Sequence, residues 1–241
     1  MRTGIHRYFV DRLRNHARML EYYGNGLSWD GFHLTFDELL NVNILINGRL
    51  FPPLSVLFRL AEAALEHARQ DPSLHVVGHG DLHGGNIIVR RTGGSTQLLY
   101  VDYETVGRHS PWIDIAKPIY NDCFFVYRYA DRLGIDLFDL GAVHARVNND
   151  TLDIDFKSSS SRECLFDPLG KALFEVLIEG LLRPFECHLK QQREELSERD
   201  LHDCPSLSHA LLACALLGRN FSQRPDMFFA SLAIGVTDPL C

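Results

Sequence analysis

The sequence lacks the features that mark several common classes of protein. Its six cysteines are scattered without a C-x-x-C pair, so they fit neither a zinc site nor a disulfide scaffold, and we expect reduced thiols in the cytoplasm. The longest apolar run, at 210–218, is far shorter than the roughly 20 residues that cross a bilayer, so no membrane association is expected. A net charge of −7 argues against a nucleic-acid surface.

What the sequence does contain is a dense polar stretch between two strand-like segments. Residues 76–89 read VVGHGDLHGGNIIV and hold two histidines, an aspartate, an asparagine and four glycines. The plain alternative is a glycine-rich turn with a structural aspartate, although glycines at this density cost chain entropy and fill no core. We favour a functional site because a long helix, this loop, a hairpin and a second aspartate, Asp102, follow one another.

Hydrophobic periodicity predicts a single α+β domain, 1–241, that is mainly helical. The helices are expected at 53–70, about 120–133, about 168–200 and about 206–218. Apolar or alternating runs on either side of turn residues predict a β-hairpin at about 86–102 and a second one at about 143–156. Residues 1–78 carry no evident strand pattern and are assigned to helices.

Two metal-centred interpretations of the polar stretch meet physical objections. His79 and His83 as zinc ligands would have to share a face, which residues four apart do only on a helix, and the surrounding glycines oppose a helix. The motif GDLHG at 80–84 also begins some binuclear-metal phosphoesterase sites, but the further ligands that hold two metals, in GD-x-x-D-R-G and G-N-H motifs, are missing.

The spacing fits the catalytic loop of a kinase better. Residues 79–86 have the layout H-x-D-x-x-x-x-N. In that layout the carboxylate orients or accepts the proton of the attacking hydroxyl, while the amide oxygen holds the magnesium that neutralises the phosphates. The predicted hairpin then brings Asp102 to the same metal, and Mg²⁺ prefers such oxygen ligands together with phosphate.

Three segments together carry a family resemblance. HGDLHGGNIIV, VDYETVG and PWIDIAKPIY resemble the aminoglycoside phosphotransferase and choline kinase family of small-molecule kinases, and the resemblance covers about 53–130. It implies a protein-kinase-like C-terminal lobe, ATP as co-substrate and Mg²⁺ as cofactor. Gly80 stands in place of the arginine of the protein-kinase HRD motif, VDYE stands in place of DFG, and no APE segment follows.

The resemblance implies roles for seven residues. They are Asp81 as the catalytic carboxylate, Asn86 and Asp102 as magnesium ligands, His79 and Asp114 as supports of the loop, and Glu104 and His83 in the vicinity of the metal or the substrate. His83 is expected to be structural more than catalytic. The helices at about 165–240 are expected to read the substrate, and the acidic net charge is compatible with a cationic one.

The second half of a kinase is missing from this pattern. A kinase N-terminal β lobe supplies a glycine-rich loop and a strand lysine, yet no G-x-G-x-x-G precedes His79 and all four lysines follow Asp102. We therefore expect only a C-terminal lobe, which works with a separate N-terminal lobe or chain or is inactive alone. The function hypothesis is transfer of the ATP γ-phosphate to a hydroxyl of a small molecule. The alternative is a non-catalytic binding or scaffold module derived from a kinase lobe.

Overall fold

The computed structural model describes residues 9–70, 75–157, 168–177, 179–180, 183–184, 187 and 207–237. In these residues the chain is α+β. The helices are α1 (Asp11–Leu13), α2 (Ala17–Tyr23), α3 (Phe36–Asn41), α4 (Leu54–Gln70), α5 (Pro111–Pro118), α6 (Phe125–Arg128), α7 (Ala130–Leu133), α8 (Pro168–Leu177), α9 (Leu207–Leu217) and α10 (Pro225–Val236). The strands are β1 (Leu27–Trp29), β2 (Phe32–Leu34), β3 (Asn43–Ile46), β4 (Arg49–Phe51), β5 (Val76–Gly78), β6 (Ile87–Thr92), β7 (Ser95–Tyr100), β8 (Gly107–His109), β9 (Val143–Asn148) and β10 (Thr151–Phe156).

The helical core is built around α9 and α10, which pack on each other. Almost every side chain of both helices is buried, as expected for helices that are apolar on all sides. Helix α9 also packs on α4 and α5. Helix α4, predicted from its periodicity, buries an apolar stripe at spacings of three and four: Leu54, Phe58, Ala61, Leu65 and Ala68. None of the described helices is both long and apolar enough to cross a membrane.

A four-stranded sheet covers the other side of α10. Its strand order is β4-β3-β10-β9, and β9 and β10 form the hairpin predicted at about 143–156. Strand β3 joins it in parallel to β10. Asn47 fastens this pairing, because its side chain accepts a hydrogen bond from the Phe156 amide at 2.7 Å and donates one to the Phe156 carbonyl at 2.7 Å.

A short strand pair frames the polar stretch. Strand β5 pairs with β8, so the first and last of the intervening residues 79–106 lie next to each other. Within this segment β6 and β7 form the hairpin predicted at about 86–102, with the register Ile87↔Tyr100. All but one of the residues with an expected role lie in this frame, and Asp114 follows directly in α5.

Two sequence predictions were wrong. The assignment of residues 1–78 to helices overlooked β1 to β4, whose segments are only three or four residues long and too short for alternation to be recognised. The single helix predicted at about 120–133 is divided by a π-helical turn at Ile119–Cys123, which follows Pro118, and then by the separate short helices α6 and α7. Of the helix predicted at about 168–200, α8 is described, and most of the remaining residues lie outside the described part of the chain.

Candidate functional site

The loop that carries Asp81 is held by backbone contacts that need glycine. Gly80 has φ +78°, and a Cβ there would lie 2.7 Å from the Thr105 carbonyl oxygen. Its amide donates to Asp114 Oδ1 at 2.7 Å. The arginine of a protein-kinase HRD motif is therefore excluded at Gly80 by the positive φ and by the closeness of Thr105.

Asp114 joins the loop to the framing strands. Besides Gly80, it accepts a hydrogen bond from His109 Nε2 at 3.0 Å, and His109 is fully buried. A Cβ on Gly78 would overlap Asp114 Oδ2 and lie 2.7 Å from His109 Nε2. Asp114 therefore makes the contacts that a loop-ordering residue requires, and Gly78 leaves the space for them.

His79 connects the start of the loop to the end of the hairpin. Its Nε2 donates to the Val101 carbonyl at 2.8 Å, because a carbonyl can only accept. Thr105 Oγ1 donates to the His79 carbonyl at 2.9 Å. These contacts fix the start of the loop against the segment that follows the hairpin, which is the geometry that a bracing role for His79 needs.

Asn86 and Asp102 lie on neighbouring backbone segments, but the surroundings of their side chains differ. Asn86 Nδ2 donates to the Asp81 carbonyl at 2.9 Å, and the Val101 amide donates to the Asn86 carbonyl at 3.0 Å. Asp102, with φ +62°, is exposed, and its carboxylate forms no hydrogen bond or ion pair in the described part of the chain. Glu104 is exposed as well.

The donor chemistry of this pair fits a magnesium ion that is shared with phosphate. Asn86 turns its amide nitrogen to Asp81, which leaves its oxygen as the atom for a cation. Asp102 would add a carboxylate oxygen, and oxygen donors of this kind, shared with phosphate, are those that Mg²⁺ prefers. Among the described residues, no group of three or more His, Cys, Asp and Glu side chains is arranged to hold a metal ion without ligands from outside the protein.

Asp81 is paired with a residue that sequence reasoning missed. Lys117, on the inner side of α5, donates through Nζ to Asp81 Oδ1, and the two side chains are only 13% and 14% exposed. His83 Nε2 lies 3.9 Å from the same carboxylate oxygen. The only advance signal for Lys117 was its place three residues after Asp114, one helical turn along α5.

His83 is neutral and oriented by the loop. Burial lowers the pKa of His83 below its ordinary value. Its Nδ1 accepts a hydrogen bond from the Gly85 amide at 3.1 Å, which leaves the ring proton on Nε2, toward Asp81. Asp122 holds the next residue, accepting from the Gly84 amide at 2.8 Å, and burial raises the pKa of Asp122.

A cavity of about 200 Å³ opens beside Asp81. Asp81, His83 and Lys117 line it together with two more cations, Arg12 and Arg128, and its remaining wall comes mainly from α9. Burial raises the pKa of the Cys214 thiol in that wall to about 12, so the thiol is protonated at neutral pH and is no nucleophile.

Comparison of the chain with family models, with curated proteins and with solved structures gives no match. The function is therefore argued from the site itself.

Proposed function

We propose that this chain is the C-terminal lobe of an ATP-dependent phosphotransferase that acts on a hydroxyl of a small molecule in the cytoplasm. The observation that carries the proposal is the mostly buried Asp81 carboxylate on the wall of a cavity, together with the Asn86 side chain, which donates a hydrogen bond to the backbone carbonyl of Asp81. A carboxylate at a cavity and a nearby asparagine are two of the groups that kinases use for phosphoryl transfer to a hydroxyl.

The mechanism assigns one task to each group. Asp81 accepts the proton of the acceptor hydroxyl as its oxygen attacks the γ-phosphorus, and the bond from that phosphorus to the β-γ bridging oxygen breaks, which releases ADP. The Lys117 ammonium lies beside Asp81 and offsets negative charge on the transferring group. Asn86 and Asp102 would hold Mg²⁺, which supplies charge neutralisation of the phosphates when bound.

Lys117 also bears on the absence of an upstream lysine. Catalysis of this reaction consists mainly of positioning and charge neutralisation, so a cation that is close to the reacting atoms matters more than its place in the sequence. Lys117 supplies such a cation from α5. A separate N-terminal lobe or chain remains part of the proposal, because no glycine-rich loop motif and no lysine precede His79.

The second candidate, a non-catalytic binding module, is favoured by one observation. The strands around the loop expose large apolar side chains to solvent, among them Val77 at 74%, Val89 at 54% and Leu98 at 52%. An apolar surface of this kind is typical of a protein contact. Turnover separates the two candidates, because a binding module needs neither the Asp81 carboxylate nor nucleotide hydrolysis.

The test is phosphoryl transfer by the purified chain with MgATP and a panel of small hydroxyl compounds, followed by phosphorus NMR. We expect Asp81→Asn to lower the rate about 10²- to 10⁴-fold, because the proton acceptor is lost. The matched control is Asp139→Asn, at an exposed aspartate away from the loop, which should leave the rate unchanged. Transfer that survives Asp81→Asn at the wild-type rate would refute the proposed role.

A further inference from the structure

The charge of the cavity beside Asp81 is opposite to that of the whole chain. Arg12, Lys117 and Arg128 line it against a single carboxylate, Asp81, and the neutral His83 adds no charge. The same four charged groups act on the Cys214 thiol in the cavity wall, three of them lowering its pKa and Asp81 raising it. The positive groups therefore converge on one small space.

Arg128 is the lining cation best placed to bind an anion. Its Nε donates to Asn121 Oδ1 at 3.2 Å, and its guanidinium lies 5.3 Å from the Tyr129 ring centre and 5.9 Å from that of Phe221. In the described part of the chain no carboxylate forms an ion pair with it, and its Nη1 is buried without a hydrogen-bond partner. A half-buried guanidinium held rigidly by an amide and aromatic faces is suited to bind a planar anion.

We propose that this cavity binds the acceptor of the phosphoryl group and that the acceptor is a small hydroxylated acid, with its anionic group at Arg128 and Arg12 and its hydroxyl at Asp81. The inference rests on the proposed function for the identity of the acceptor. It replaces the cationic substrate that the net charge of −7 makes plausible. A cation here would face three positive side chains and a carboxylate that is already paired with Lys117.

The size of the cavity restricts the acceptor. A cavity of about 150 Å³ holds a benzene molecule, so this cavity of about 200 Å³ holds roughly eight non-hydrogen atoms by the same scale. That is the size of a hydroxylated three- or four-carbon acid, whereas a complete triphosphate is larger.

The transferring phosphoryl group, which Lys117 is proposed to neutralise, does not account for Arg12 and Arg128. Asn86 and Asp102, the groups expected to hold the phosphate-bound metal, are not among the residues that line the cavity. Asp81 accepts the hydrogen bond from Asn86 at its backbone carbonyl, whereas Asp81 itself lines the cationic cavity.

The experiment is a binding titration of the full chain, by calorimetry or ligand-observed NMR without nucleotide. The probes are glycerate and glycerol 3-phosphate, which separate a carboxylate from a phosphate, neutral glycerol, and cationic choline. We expect one or both acids to bind and glycerol and choline not to bind. Arg128→Gln should weaken the acid about ten- to hundredfold, as expected for loss of a charge-assisted hydrogen bond.

Two further variants keep the result interpretable. Arg128→Lys keeps the charge and should restore part of the affinity, which a merely structural role in packing against Tyr129 would not predict. Arg146→Gln, at a largely exposed arginine on β9, removes the same charge elsewhere and should change nothing. Choline or glycerol binding as tightly as the acids, or acid binding that is equal in Arg128→Gln and wild type, would overturn the inference.

The result of the binding titration can be distinguished from the result of the transfer assay that tests the proposed function. Acid binding that depends on Arg128, without any phosphoryl transfer, would support the anion site and count against the enzyme. Transfer that depends on Asp81 but goes to neutral or cationic acceptors would support the enzyme and count against the anion site.

Discussion

The substitution Gly78→Ala, which adds one methyl group, tests the packing of Asp114 against the loop. The new Cβ would overlap Asp114 Oδ2 and lie 2.7 Å from His109 Nε2, so Gly78→Ala has to displace the Asp114 carboxylate. The displaced carboxylate loses its hydrogen bonds from the Gly80 amide and from His109, and His109 is fully buried. A lost hydrogen bond to a charged group, together with a buried group left without its partner, costs about 2–4 kcal/mol.

Its matched control lies directly opposite. Gly107 pairs with Gly78 in the β5–β8 register, and a Cβ on Gly107 would meet no atom within 4 Å. Gly107→Ala should therefore change stability by less than about 1 kcal/mol, or raise it slightly through the unfolded state. By thermal unfolding, Gly78→Ala should lower Tm by about 5–15 °C for a chain of this size, and Gly107→Ala by no more than about 4 °C.

A double variant identifies the mechanism. Asp114→Ala removes the group that the new methyl would strike, so Gly78→Ala should add little when it is combined with Asp114→Ala. Equal Tm shifts for the two glycine variants would refute the packing described for Gly78. Additive effects of Gly78→Ala and Asp114→Ala would refute the claim that Asp114 transmits the damage.

Two further predictions concern buried carboxylates. Burial alone would raise the pKa of Asp226, but hydrogen bonds from Arg224 and the Leu137 amide outweigh it, so its pKa is lowered. The ionised Asp226 therefore stabilises the fold above the ordinary carboxyl pKa, and this stabilisation is lost as the pH falls through the lowered value. Asp226→Asn should cost about 3–5 kcal/mol at pH 7 in urea unfolding and weaken the loss of stability in acid, and an unchanged acid limb would contradict this. The pKa of Asp122 is raised by burial despite the Gly84 amide, so its contribution is present at low pH and lost as the pH rises through the raised value. The stability of Asp122→Asn relative to wild type should therefore increase between pH 4 and pH 7, and the opposite trend would contradict the assignment.

The parts of the fold that could be predicted are those whose signal is local. Both hairpins were predictable because each strand is followed closely by its partner, with turn residues such as Gly93 and Asn149 between them, and both adopt positive φ. Helix α4 was predictable because its stripe repeats over 17 residues. The parallel pairing of β3 with β10 joins segments about a hundred residues apart, and no local pattern encodes such a partner.

The same distinction between local and long-range signals applies to the residues of the site. The order of His79, Asp81 and Asn86 within eight residues was visible as a motif, and the backbone contacts of that loop follow from its glycines. Lys117 was not identified, because its role depends on α5 returning against the loop through the β5–β8 pair. Arg128 was missed for a related reason, since only packing brings α6 to the same cavity.

The contrast between net charge and site charge explains why the proposed acceptor is an acid and not the cationic substrate expected from the sequence. The chain carries a net charge of −7, but charges on its surface are screened over roughly 8–10 Å at ordinary salt. A ligand in the cavity responds mainly to the groups that line it, where Arg12, Lys117 and Arg128 oppose Asp81 alone. Whole-chain charge describes solubility and long-range attraction, whereas recognition is decided by a few partly buried groups that the fold gathers from distant parts of the sequence.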